Sequence, residues 1–378
     1  MKLMHISDLH LGKRVNEFSM IEDQEYILQE ILQTAKKEKV DGLLIAGDVY
    51  DKAVPSAEAV QLLDDFLTKT AAMGISVYMI SGNHDSAQRL AFGSRLLREA
   101  ERIFISPVFD GRIEPIRLLD LYGPVNIWLL PFIKPAVVRP FFPELELNTY
   151  DDAFRAVVES LEVDTRERNI LVAHQFVTGA ARCESEEVSV GGLDNVDASV
   201  MEQFDYVALG HIHGPQKIGR ETLRYCGTPL KYSFSEANHQ KSVTIVEVLE
   251  KGDVQVSVRP LTPLRDLREI KGTYEEVTLR ENYMDTNVYD YLHITLTDEE
   301  DIPNVMDRLR VIYPNLMRLD YDNRRTRENQ AVEGAKEIET KSPLQHFADF
   351  YQVQNNQEMS VEQIKFMENL IEKVWEQV

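Results

Sequence analysis

A layered α/β domain carrying a small α+β cap and a helical C-terminal tail is the fold class this sequence predicts, on three observations. About the first 260 residues alternate short β-rich runs with amphipathic helical stretches. Past "VRPLTPLRDLREIKG" the texture changes to a strand, helix, strand group. A polar stretch without period follows, and then two short helical patterns close the chain. These features place the layered domain at 1-265, the cap at 266-322, a linker at 323-341 and the tail at 342-378. With 378 residues, 43% of them hydrophobic, the chain has enough apolar content for a sizeable core.

The first strand is read at "LMHIS". A helix from about Asp23 to Lys39 follows, because Tyr26, Ile27, Ile31, Leu32 and Ala35 share one face. "GLLIAGD" and "VYMISGN" are the next two strands. Between them Pro55 and Ser56 start a helix, Val60, Leu63, Phe66 and Leu67 recur at helical spacing, and Gly74 closes it. "NIWLLP", "NILVAH" and "YVALGH" complete the predicted strands. In the cap, "YLHITLTD", "EEDIPNVMDRLRVIYP" and "LMRLDYD" read as strand, helix and strand. "NRRTRENQAVEGAKEIETK" has few large apolar residues, as a linker does. In the tail, Leu344, Phe347 and Tyr351 make one helical stripe and Ile364, Met367, Ile371 and Val374 a second, with Phe366, Leu370 and Trp375 alongside. Ser360 and Gln363 have the spacing of a capping box.

A net charge of −22 argues against a broad basic surface that binds nucleic acid by counterion release. It leaves a phosphodiester substrate open, because bound divalent cations invert the local sign of an acidic site and a partner can supply positive surface. No run approaches the roughly 18 apolar residues of a membrane span, and "MKLMHISDLH" lacks the regions of a signal peptide. The protein is therefore expected in the cytoplasm, with no membrane partner. Cys183 and Cys226 are expected as free thiols.

Strand ends carry the chemistry. Asp8 and His10 follow the first predicted strand, Asp48 the second, and Asn83, His84 and Asp85 the third; His174 ends "NILVAH", and His211 and His213 end "YVALGH". In open α/β sheets the carboxyl ends of strands face a common crevice, so these scattered groups can converge. Two aspartates, one asparagine and four histidines offer oxygen and imidazole donors without thiolate, which suits manganese, iron or zinc. Seven ligands exceed the needs of one ion with an open position. Two divalent metal ions sharing a bridging carboxylate use them all, and such a pair is suited to phosphoester hydrolysis. His5, His239, His293 and His346 fall outside the pattern and are read as structural or surface residues.

"DLH", "GD", "GNHD", the lone strand-end histidine and "GHIH" together resemble the signature of the calcineurin-like metallophosphoesterases over residues 4 to 213. "MHISDLHLGK", "GDVYDKAVPS", "YCGTPLKYSFSE", the cap and "SPLQHF" extend the resemblance over nearly the whole chain to the nuclease subunits of bacterial SbcCD-type double-strand-break repair complexes. The resemblance implies a first ion on Asp8, His10 and His213, a second on Asn83, His174 and His211, and Asp48 between them. Manganese is the implied metal. His84 would meet the phosphate or protonate the departing sugar oxygen, with Asp85 setting its tautomer and orientation. Archaeal and eukaryotic relatives usually carry a histidine where this chain has Asp51, which leaves an acid–base role there open. The "DRG" arginine of phosphoprotein phosphatases is absent.

The resemblance further implies an SbcC-type coiled-coil ATPase as partner, docked by the tail helices, and a homodimer within a heterotetramer. The apolar faces of the helices after the first and second motifs are candidates for the dimer contact. The implied activity is ATP-dependent 3′-5′ degradation of double-stranded DNA together with endonucleolytic cutting of single strands and hairpins, in DNA repair, recombination and replication. A metallophosphatase or cyclic-nucleotide phosphodiesterase on the same fold is the alternative; it leaves the last 110 or so residues without a use.

Overall fold

The central strands of the layered domain are apolar along most of their length, not at alternate positions, because each sheet is covered there on both faces. The computed structural model describes residues 1–186, 195–300, 302–324, 347–348, 351, 359–360 and 363–367. Strands Lys2–Ile6 (β1), Gly42–Ala46 (β2), Ser76–Ile80 (β3) and Ile103–Ile105 (β4) run parallel to one another. The chain then builds a second sheet from Ile116–Asp120 (β5), Gly123–Leu130 (β6), Arg168–His174 (β7), Tyr206–Gly210 (β8), Gln216–Ile218 (β9) and Arg220–Tyr225 (β10). It returns to the first sheet with Ser242–Val248 (β11) and Val254–Pro260 (β12). The orders are β12-β11-β1-β2-β3-β4 and β9-β10-β8-β7-β6-β5.

The two sheets share an apolar layer. Leu3, Leu44, Ala46, Tyr78 and Ile80 from the first pack with Val125, Ile127, Ile170, Val172 and Ala208 from the second. The alternate side chains, Met4, Ile6, Leu43, Ile45, Val77 and Met79, lie under helices Ile21–Glu38 (α1) and Ala57–Ala72 (α2). Helix Tyr150–Glu159 (α3) covers the second sheet, where Phe154 and Val157 join Leu171, Ala173, Val207 and Leu209. The layered domain is built on two sheets, with the six predicted strands divided three and three between them. The unpredicted strands lie toward the sheet edges. Among these, β12 carried the alternation of Val254, Val256 and Val258 that marks a half-covered strand.

Helix termini follow the sequence signals. Ser56 caps α2 by accepting from Ala59 N at 3.2 Å, and Gly74 leaves it at φ 73°. The helices spend their apolar faces on the core: Ile27, Ile31 and Ala35 of α1 and Leu63 and Phe66 of α2 are buried. Val60 departs from the expected stripe and points outward, 46% exposed.

One polar device pins the sheets together at the end away from the strand-end aspartates and histidines. Arg168 at the start of β7 is 2% exposed; it bonds both carboxylate oxygens of Asp120 and donates to the carbonyls of Gly123 at 2.7 Å and Leu249 at 2.8 Å. Asp120 in turn binds the N-terminal ammonium at 2.9 Å. Arg168→Ala strands these acceptors and is expected to cost about 3 kcal/mol. A denaturant titration checks this; a loss below about 1 kcal/mol would mean that water replaces the guanidinium freely.

Beyond β12, Leu267–Gly272 (β13), Tyr291–Leu296 (β14) and Leu316–Tyr321 (β15) form a three-stranded sheet in that order, with helix Val305–Arg310 (α4) between the last two in sequence. The chain divides into two compact units. The first is Met1–Ile270 with Thr278–Ile294 and Asn304–Leu319; the second is Lys271–Val277 with Thr295–Pro303 and Asp320–Val378. In the second, Ser360 and Gln363 make the reciprocal capping box their spacing predicts: Ser360 N donates to Gln363 Oε1 at 2.8 Å, and Gln363 N to Ser360 Oγ at 3.3 Å. Leu344, Leu370, Ile371, Val374 and Trp375 of the expected stripes, and His346, lie outside the described residues. No helix among the described residues is long and apolar enough to cross a membrane.

Candidate metal centre

The loops leaving β1 and β2 run side by side past the end of the sheet: Asp8 N donates to Gly47 O at 3.0 Å, His10 N to Asp48 O at 2.9 Å, and Leu11 N to Val49 O at 2.9 Å. To turn their side chains inward, Asp8, His10 and Asp48 take left-handed backbone angles, with φ of 53°, 44° and 47°. Non-glycine residues hold such angles only where the surroundings enforce them, and they concentrate at functional sites. The ends of β7 and β8 approach from the other sheet. His174 Nδ1–H donates to Ala46 O at the end of β2 at 2.8 Å, and His211 N donates to Asp8 Oδ1 at 3.0 Å. This approach leaves no room for a side chain at Gly210, where a Cβ would overlap Ala46 O; between the loops of the first sheet, a Cβ on Gly82 would overlap Asp48 Oδ1.

All seven expected ligands meet in this cleft. His10 Nε2 and His213 Nε2 face each other at 3.2 Å, and Asp8 joins them in a group whose ligand atoms lie within 4.8 Å. Beside it, Asn83 Oδ1 is 2.9 Å from His174 Nε2 and 3.0 Å from His211 Nδ1. Asp48 Oδ2 is 3.3 Å from His174 Nε2 and 3.8 Å from His10 Nε2, so this carboxylate stands between the two groups. Ligand atoms about 2.1 Å from one ion lie about 3.0–3.4 Å apart in octahedral or tetrahedral arrangement. The imidazole pair has that spacing, and the oxygen and imidazole donors fit divalent metal.

The protein's own charges make the interior of the site an ion pair. Burial alone disfavours charge on His174, but Asp48 beside it outweighs this and raises its pKa to about 9. Burial likewise opposes the Asp48 carboxylate, and His174 and His10 overcome it, holding Asp48 well below the usual carboxylate range. Burial raises Asp8 to about 6 and lowers His211 to about 3.

His84 stands apart from the ligands. Its ring is the more accessible, 16% exposed, and Nδ1–H donates to the Asp51 carbonyl at 3.0 Å, leaving Nε2 toward the cleft, 3.9 Å from Asp48 Oδ2. Asp85, expected to steady His84, does something else. Its carboxylate accepts from the backbone N–H groups of Gly82 at 2.9 Å, Tyr50 at 2.9 Å and Val49 at 3.1 Å. Three donors satisfy a buried carboxylate better than one imidazole, so Asp85 joins the two ligand loops and a carbonyl orients His84. His5 is buried between Tyr206 Oη at 2.9 Å and Leu209 O at 3.2 Å, as a structural histidine. Cys183 and Cys226 are free thiols.

Residue patterns did not point to the groups behind the ligands. Ser185, Glu186, Glu236 and Lys241 surround His213, with Glu186 Oε1 accepting from His213 N at 2.6 Å. Glu236 and Lys241 come from the segment that leads into β11, which carries no metal-ligand motif.

Comparison with known proteins places the architecture among phosphoesterases. A family model described as calcineurin-like phosphoesterase matches residues 1–215, and one described as type 5 capsule protein repressor C-terminal domain matches residues 263–355. The chain is 35% identical over 323 residues to SbcD, the D component of the nuclease SbcCD, of Staphylococcus epidermidis, covering 84% of this chain and 85% of that protein. Among solved structures it is similar to a dimetal phosphatase from Danio rerio, at 12% identity and a TM-score of 0.44, over 69% of this chain and 96% of that one. It is also similar to Yfce, a phosphoesterase from E. coli, at 15% identity and a TM-score of 0.28, over 69% of this chain and all of that one.

Proposed function

We propose, from the premise that this chain belongs to the calcineurin-like phosphoesterase family and within it to the relatives of SbcD from the nuclease SbcCD, that it is the metal-dependent DNA nuclease of an SbcCD-type complex. The observation that carries this reading is the meeting of seven oxygen and imidazole donors from two sheets, with the Asp48 carboxylate standing between the other six. Asp8, His10 and His213 hold one ion, Asn83, His174 and His211 the other, and Asp48 serves both. Manganese suits this donor set. Such a pair supplies an activated water and neutralises the charge on the phosphoryl oxygens.

The remaining chemistry belongs to side chains. Water attacks phosphorus and the bond to the departing sugar oxygen breaks. His84, held through Nδ1–H by the Asp51 carbonyl, gives that oxygen a proton from Nε2, and the proton lost by the attacking water goes to solvent. Asp85 acts by holding the loops of Asp48 and Asn83 in register. The cleft is acidic and the whole chain carries −22, so binding of duplex DNA needs positive surface from elsewhere. A coiled-coil ATPase of the SbcC type fills that need in the cytoplasm, and ATP-dependent 3′-5′ attack on duplex ends together with cutting of single strands and hairpins follows from its gating of the site. The assembly is a homodimer within a heterotetramer. Because the helix faces after the first and second motifs are spent on the core, the dimer contact falls to apolar side chains left outside, among them Val60, Phe92 and Leu96.

The test is cleavage with manganese present. The chain is expected to cut single-stranded DNA by itself and duplex ends only with the ATPase and ATP. Hydrolysis of small phosphodiesters or phosphomonoesters with no cutting of DNA would favour the phosphatase alternative. Truncation after Thr326 is expected to leave cutting of single strands intact and to abolish co-purification with the ATPase. A truncated chain that still co-purified and degraded duplex DNA would move the docking site into the first 326 residues.

A further inference from the structure

The imidazoles assigned to the two ions are backed differently. His174 donates to a neutral carbonyl, Ala46 O. His213 Nδ1–H donates instead to Ser185 Oγ at 2.7 Å, and the Ser185 hydroxyl donates to Glu236 Oε1 at 2.6 Å. Glu236 is fully buried and ion-paired with Lys241, whose ammonium also donates to His213 O at 2.9 Å and Thr228 Oγ1 at 2.7 Å. On the other side of the same cleft, His10 Nδ1 is buried without a hydrogen-bond partner, and the nearby carboxylate is Asp51 Oδ1 at 3.8 Å. Asp51 is ion-paired with Lys13 at 2.8 Å, and the Lys13 ammonium lies 5.7 Å from the Tyr232 ring centre. Each of the facing imidazoles therefore has a lysine-paired carboxylate on its far side.

We infer that Asp51, and Glu236 acting through Ser185, are positioning residues for His10 and His213, and that they make the ion site on Asp8, His10 and His213 selectively dependent on carboxylates outside its ligand set. The reasoning rests on the proposed ligand assignment. A carboxylate on the far nitrogen keeps the proton on Nδ1, so that Nε2 offers its lone pair, and it raises the basicity of the ring. The relay from His213 through Ser185 already fixes that tautomer. For His10, a shift of about 1 Å brings Nδ1–H and Asp51 into hydrogen-bond range. The paired lysines keep each carboxylate outside the cleft, where it orients a ligand without becoming one. This gives Asp51 a use distinct from acid–base chemistry: its carbonyl orients His84 and its carboxylate orients His10.

The test is calorimetric titration of the full chain with manganese, with electron paramagnetic resonance of the loaded protein, for Asp51→Asn and Ser185→Ala. Ser185→Ala cuts the relay while leaving the buried pair of Glu236 and Lys241 intact, so it avoids the folding risk of changing Glu236 itself. Each variant is expected to bind one ion as wild type does and the other about 10–100-fold more weakly, with an unchanged melting temperature before metal is added. The spectral signature of a coupled manganese pair should then appear only at higher metal concentration. Wild-type affinity at both sites in both variants, or equal weakening at both sites, would overturn the inference. These results are separable from failure of the nuclease reading, in which the wild-type chain itself would bind no ion pair or leave DNA uncut.

Discussion

Asp48→Ala is expected to reduce DNA cleavage to background and to weaken both metal sites together. Asp48 is 2% exposed, and its Oδ2 lies 3.3 Å from His174 Nε2 and 3.8 Å from His10 Nε2, one imidazole from each ligand group. Two dications about 4 Å apart repel by on the order of 15 kcal/mol at an effective dielectric of about 20, and a shared anion is the most direct offset. Removing it leaves that repulsion to the outer ligands alone. Asp48 Oδ1 also accepts from His84 N at 2.9 Å, so the same change loosens the loop that carries Asn83. Metal analysis after gel filtration with calorimetric titration reads the outcome. Two tight sites surviving in the variant would remove Asp48 from the bridge.

His84→Ala has the second largest expected effect and a different signature. Both ions should remain, while cleavage of DNA falls by about 10²–10⁴-fold, the range for loss of a positioned acid or base. The expectation comes from the ring's greater exposure and its Nδ1–H bond to the Asp51 carbonyl, which leaves Nε2 for substrate. A phosphodiester whose leaving group departs without a proton should be hydrolysed by the variant at close to the wild-type rate. His10, Asp48 and His84 themselves form a group of potential ligand atoms within 4.8 Å, so the competing outcome is concrete. Loss of metal along with activity would make His84 a ligand.

Apolar runs that end in Asp, Asn or His are local features, and they point to the seven donor side chains that the structure brings together in the cleft. The order "DLH", "GD", "GNHD", "H", "GHIH" is a property of the chain itself. Asp85 shows the limit of such adjacency. Its place beside His84 suggested an imidazole partner, yet its carboxylate turns to Val49 and Tyr50, over thirty residues away in sequence. Helix faces show another limit: periodicity marked α1 and α2 as amphipathic, but the sheet that covers those faces joins the flanking strands β1, β2 and β3 to β11, which comes much later in the chain.

By itself, then, the sequence determined the chemistry of the donors, the strands that present them and the helices between, because residue type, period and capping act over a few positions. Only the tertiary structure decided that β1, β2 and β3 meet β7 and β8 from a second sheet, which nitrogen of each histidine faces the cleft, and which carboxylates stand behind His10 and His213. Ring orientation and tautomer follow from hydrogen bonds between residues far apart in the chain, such as His174 Nδ1–H to the Ala46 carbonyl. Those bonds form only where packing of the shared apolar layer brings the strand ends together, and no local pattern encodes that meeting.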